Sequence, residues 1–107
     1  MKKITYFRAI KNKSGFDFQA CEGYHINFYN GSGAIDLVFG KNQYNLWTIT
    51  ELSTGFLVHN STFLTRKEAI QAITADYLKL IFSKIKNAPF IEAAAQRLNE
   101  YRAKNHA

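Results

Sequence analysis

The sequence predicts an α+β fold, an antiparallel meander of five or six strands followed by two C-terminal helices packed on one face. Three observations carry that reading. Apolar residues recur at every second position through the first 64 residues, between short turns rich in glycine and asparagine, and turns that short join antiparallel neighbours. From Thr65 the apolar period lengthens to that of a helix laid on a sheet. The junction is Thr65-Arg66-Lys67-Glu68, a spacing in which the threonine hydroxyl accepts from the N–H three residues on while the glutamate reaches back to the threonine N–H.

Taken in order, Ile4, Tyr6, Arg8 and Ile10 alternate with Thr5, Phe7 and Ala9, a strand with apolar residues on both faces. Lys11-Asn12-Lys13-Ser14-Gly15 is a polar turn, and Phe16, Phe18 and Ala20 against Asp17, Gln19 and Cys21 make the returning strand, which Gly23 is expected to end. Tyr24, Ile26 and Phe28 then oppose His25, Asn27 and Tyr29 in a third strand. Asn30-Gly31-Ser32-Gly33 supplies residues tolerant of positive φ, as a tight hairpin turn requires. A fourth strand carries Ile35, Leu37 and Phe39 on one face and Ala34, Asp36 and Val38 on the other, ending at Gly40-Lys41-Asn42.

The chain is organised around the stretch from Tyr44 to Ile85, in which a hairpin of Tyr44 to Leu52 and Phe56 to His59 runs into a helix extending from Thr65 to Ile85. Ile70, Ile73, Tyr77 and Ile81 form its apolar stripe, widened by Leu78, Phe82 and Ile85, and Lys79 and Lys86 lie on the opposite face. Trp47 and Ile49 are expected beneath it. Asn87-Ala88-Pro89 ends this helix and starts a second, in which Ile91, Ala94, Leu98 and Tyr101 face inward.

At 107 residues and 47% hydrophobic composition, the chain suffices for one core and is expected to be a single domain over 1–107. Its net charge of +6 is unevenly spread: residues 1–13 hold five basic residues and no acid, residues 14–64 are net acidic, and residues 65–107 are again net basic. Such segregation attracts polyanions without identifying one. The single cysteine, Cys21, excludes an intramolecular disulfide and suits a reducing cytoplasm. The run Ile4 to Ile10, broken by Thr5 and Arg8, is too short and polar for a signal-peptide core, and no stretch reaches membrane-spanning length. A cytoplasmic protein with no membrane partner is the expectation.

Catalytic chemistry finds little support. A thiol nucleophile needs a base in reach, and Cys21 has only His25 and His59 to look to. A lone cysteine on a strand is ordinarily a small buried residue. The histidines His25, His59 and His106 show with Cys21 no C-x-x-C or H-x-x-x-H spacing, so no metal or cofactor is expected. Asp17 and Asp36 are read as solvent-facing strand residues rather than a carboxylate pair. Asn30-Gly31-Ser32-Gly33 lacks the Lys-Ser/Thr ending and following helix of a phosphate loop.

Binding has more in its favour. Twelve of the sixteen aromatics precede residue 64, where Tyr6, Tyr24, Tyr29 or Tyr44 offer stacking platforms near Arg8, although a core demands the same residues. The hairpin leading to Thr65-Arg66-Lys67-Glu68-Ala69, in a short chain with no catalytic set, resembles the small accessory proteins carried by phages and other mobile elements. That resemblance implies a protein that occludes a host complex, for example an inhibitor of CRISPR or restriction systems.

The leading expectation is therefore a non-enzymatic protein that docks on a protein or nucleoprotein complex as inhibitor or adaptor. Arg8, Lys11 and Lys13 on the first strand and turn, Lys79 and Lys86 on the helix, and Trp47 in the hairpin are expected to carry binding. A direct DNA or RNA binder is the alternative, and a cysteine-dependent enzyme the weaker one. Replacing Thr65 by alanine is expected to lower stability by about 1 kcal/mol through the lost helix cap, measured by denaturant unfolding.

Overall fold

The computed structural model describes residues 2–12, 15–30, 33–85 and 88–105. Four strands, β1 (Lys2–Asn12), β2 (Gly15–Asn30), β3 (Gly33–Lys41) and β4 (Trp47–Glu51), form one antiparallel meander in the order β1-β2-β3-β4. Three helices follow, α1 (Arg66–Gln71), α2 (Ala75–Ile85) and α3 (Ala88–Asn105). The α+β class and the meander are as expected, but among the described residues four strands stand where five or six were predicted, and three helices where two were.

Each difference has a local cause. Gly23 does not break the second strand; it pairs with Ile4 on one side and Gly40 on the other, inside a continuous β2 of 16 residues. The glycine serves close approach, since a Cβ there would come within 2.8 Å of the Phe39 carbonyl oxygen and 3.0 Å of the Tyr6 ring. The second arm of the hairpin is not a strand either. It touches β4 at two isolated bridges, Thr50 with Leu57 and Trp47 with Phe63, and forms an irregular cover on the outer edge of β4. The predicted long helix is cut in two because Thr74 behaves as a second cap, its hydroxyl accepting from the Tyr77 N–H at 3.1 Å. At the first cap, Thr65 is extended and its hydroxyl accepts from Glu68 N–H at 3.1 Å, with no return bond from the Glu68 side chain.

Alternation divides the sheet into two faces. Ile35, Leu37 and Phe39 of β3 and Ile49 of β4 are buried against Ala69, Ile73, Leu78 and Ile81 of the helical segment, with Ile26, Phe28, Trp47, Ile70, Tyr77 and Phe82 at the margins. On the same face α3 buries Ala94 and Leu98, and Tyr101 lies against Phe7 and Phe18 with ring centroids 5.4 and 5.1 Å away. Pro89 occupies the first turn of α3, where its missing N–H costs nothing.

The opposite face is concave. Tyr6, predicted as a stacking platform, is only 1% exposed and lies over Gly23 and Gly40. Its hydroxyl ends beside that of Thr50, although β1 and β4 are separated by two strands; both hydroxyls are buried and neither makes a hydrogen bond of normal geometry. Burial pushes the Tyr6 phenol up from its ordinary pKa, with Cys21 across the ladder adding to the rise. The sheet therefore curls until its outer strands approach, and Ala9 N–H of β1 donates to Gly55 O at 2.9 Å. Gly55 sits at φ 75° and so close to β1 that a Cβ would come within 2.7 Å of Phe7 O.

Gly23→Ala is expected to lower stability by about 1–3 kcal/mol, because the added methyl meets backbone as well as side chain. Chemical denaturation of the variant measures it, and an unchanged midpoint would show that the ring over Gly23 has room to spare.

Candidate functional site

Two surfaces gather the residues that recognition chemistry uses, and they lie on opposite faces of the sheet. The first is at the end of the helix-covered face, where α1 begins. Trp47 opens β4 opposite Lys41 and is half-buried, bridged to Phe63 through both backbone hydrogen bonds, at 2.8 and 3.0 Å. Arg66, the first residue of α1, places its guanidinium 4.1 Å from the centroid of the Tyr24 ring and 6.0 Å from that of Trp47. Lys41 Nζ lies 5.4 Å from the Trp47 centroid. Neither cation has a carboxylate partner among the described residues. Lys3 is close in register, opposite Tyr24, but is tied to Glu22 at 3.4 Å.

The second surface is a cleft of about 420 Å³ on the concave face, between β1 and the turn after β3. Arg8 and Ile10 of β1, Gln19 of β2, Thr48 of β4, and Tyr44 and Leu57 from the loops line it. Arg8 donates to Gln19 Oε1 at 2.7 Å across the strand pair. Tyr44 is 73% exposed on a turn held by the Asn42 carboxamide oxygen, which accepts from Tyr44 N–H at 2.9 Å and Leu46 N–H at 3.1 Å. Asn45 takes φ 63° there, a conformation asparagine tolerates better than most residues.

Further along the concave face, Asp36 accepts from His25 Nε2 at 2.7 Å and from Asn27 Nδ2 at 2.9 Å. The Asn27 bond, then the His25 bond, hold its pKa below the ordinary carboxylate value. An ionised carboxylate accepts only, so Nε2 is the protonated nitrogen of His25. Asp36 is thus a hydrogen-bonded group rather than a plain solvent-facing one. Asp17 is elsewhere, its Oδ1 accepting from Phe18 N–H at 2.8 Å.

The structure distributes the predicted binding residues rather than assembling them. Arg8 lines the concave cleft, Trp47 anchors the cation–aromatic cluster on the other face, and Lys79 is exposed on α2. Lys13 and Lys86 lie outside the described residues, as do the side chain of Lys11 and the residues Gly31, Ser32 and His106. Among the described residues no hydrogen bond joins Cys21 to a histidine: its thiol meets Gln19 O at 3.6 Å, His25 is engaged by Asp36, and His59 packs between Tyr77 and Phe63. No group of three or more metal-ligating side chains occurs among the described residues. Sequence reasoning missed Arg66 and Gln19. In the sequence Arg66 shows only as part of the capping spacing, and the cross-strand position of Gln19 opposite Arg8 depends on the register.

The fold and surfaces define an α+β protein with a curled meander sheet and no helix, among the described residues, long and apolar enough to cross a membrane. No family model matches the chain, and no curated protein or solved structure matches it.

Asp36→Asn is expected to lower stability at neutral pH by less than about 1 kcal/mol, since the cluster is partly exposed and screened. Because the folded-state pKa is depressed, the wild-type contribution is present above the unfolded value of about 3.9 and is lost as pH falls through the lower folded value. Urea unfolding across that range should show the acid-side loss in wild type diminished in the variant.

Proposed function

We propose that this chain is a non-enzymatic, cytoplasmic binding protein that docks its cation–aromatic surface on an acidic face of a protein or nucleoprotein complex. Acting as an inhibitor or adaptor, it would do so in the manner of the small accessory proteins of phages and other mobile elements. The observation that supports this reading is the placement of Arg66 and Lys41 on the rings of Tyr24 and Trp47 with no carboxylate among the described residues to neutralise them. A guanidinium lying on a ring keeps the N–H groups at its edge for a carboxylate. Stacking also orders the side chain in advance, so less entropy is lost on docking. Exposed Lys67 on α1 and Lys79 on α2 add positive charge on helices of that face.

Direct binding of DNA or RNA is the second reading, supported by the net charge of +6. A binder of phosphate backbones neutralises several phosphates in a row, and here Lys3 is already paired with Glu22 beside the cluster.

A gel shift with DNA and RNA at physiological salt separates the two. Weak binding is expected, and salt-sensitive binding tighter than about 1 μM without any partner would overturn the docking reading. Charge reversal at Lys41 and Arg66 together should abolish capture of the partner in cells while leaving the melting temperature near wild type. Undiminished capture would place docking elsewhere.

A further inference from the structure

The concave cleft gathers exposed apolar side chains around Arg8. Among the described residues six large hydrophobics are well exposed, and three of them, Ile10 at 39%, Tyr44 at 73% and Leu57 at 57%, line this one cleft. Single exposed apolar residues are ordinary, but their concentration around a concavity is not. Among the described residues no acidic side chain lines the cleft, and Arg8 is the one charged side chain there. Arg8 is half-buried and bonded to Gln19 Oε1 at 2.7 Å, which fixes its direction while occupying one of its five N–H donors. No carboxylate among the described residues answers it. The volume of about 420 Å³ falls in the range of ligand sites, roughly 300–1,000 Å³.

From this we infer that the cleft takes an extended acidic segment of a partner polypeptide, in which an aspartate or glutamate pairs with Arg8 and a neighbouring bulky apolar side chain lies between Tyr44, Ile10 and Leu57. A carboxylate matches the planar fork of a guanidinium two bonds at a time. Gln43 and Thr62 on the cleft wall suit the amides of a peptide. The Asn42-held turn presents Tyr44 with little freedom to lose. This site is separate from the Arg66 surface, being on the other face of the sheet, so the two stand or fall independently.

The test is two-dimensional NMR titration of the ¹⁵N-labelled full chain with an acetylated, amidated peptide carrying glutamate followed by leucine. Matched arms use the same peptide with glutamine for glutamate, and a single-stranded RNA oligonucleotide. Shifts are expected at the amides of Arg8 to Ile10, Gln43, Tyr44 and Leu57, with the amide of Leu98, buried on α3, unmoved as an internal control. Arg8→Gln should weaken the glutamate peptide about tenfold or more, and the glutamine peptide should bind wild type with the same loss. Leu57→Ser, at an exposed position, should weaken both peptides alike, and Lys104→Glu, at an exposed position on α3, should change neither. The inference is overturned if the glutamate and glutamine peptides bind equally, if no shifts arise at about millimolar peptide, or if the RNA moves the same amides more strongly.

Discussion

The Tyr6 ring over Gly23 and Gly40 is the contact on which the rest of the structure depends. A tyrosine on the outermost strand of a four-stranded sheet is expected to face solvent, yet this one is buried because two glycines on the neighbouring strands leave a trough for it. Seating the ring there draws β1 over β2 and β3 toward β4, until the Tyr6 and Thr50 hydroxyls meet and Gly55 reaches Ala9. Large aromatics bury more apolar area per residue than any other side chain, so one such ring can offset the cost of the curl. The hydroxyls bear part of that cost, since a buried polar group without a partner is destabilising.

Curling gives the sheet two inequivalent faces. The outer one is covered by α1, α2 and α3 and holds the apolar core; the inner one is closed by Tyr6 at its middle and open at the Arg8 end. β3 runs through the centre and is buried on both sides, with Leu37 and Phe39 facing the helices and Val38 facing the concavity. The Arg66 and Arg8 surfaces both lie at the rim of this arrangement, where loops and helix ends meet the strands. There, side chains are oriented by rigid elements but not covered by them.

Much of this was legible in the amino-acid sequence. The strand periods, the cap at Thr65 and the inward residues Ile73, Leu78, Ile81, Ala94 and Leu98 follow from spacing alone, because amphipathic patterns reflect which face is buried. What failed was the reading of punctuation. Glycine either breaks a strand or admits a ring, and spacing alone does not show that Tyr6 lies across Gly23. Thr74 inside an apolar helical stripe was read by the pattern around it rather than by its capacity to cap. The surfaces were harder still, for the Arg8–Gln19 and Arg66–Tyr24 contacts join residues whose proximity depends on strand register and on the angle at which α1 leaves the sheet. Charge counted along the chain located positive stretches but not the faces on which they would lie.

Strand alternation makes the hairpin of β1 and β2 serve two faces of the sheet at once. Phe7 and Phe18 serve the core beneath α3, while their neighbours Arg8 and Gln19 furnish the cleft on the far side. A single-residue insertion or deletion within either strand would exchange the two sets, sending a guanidinium toward the hydrophobic interior and a phenyl ring into solvent. Changes in steps of two preserve both roles and merely lengthen or shorten the ribbon. Length changes in this hairpin are thereby accommodated in even-numbered steps or in its turns, and the cleft side chains can be exchanged without altering the face that packs under α3.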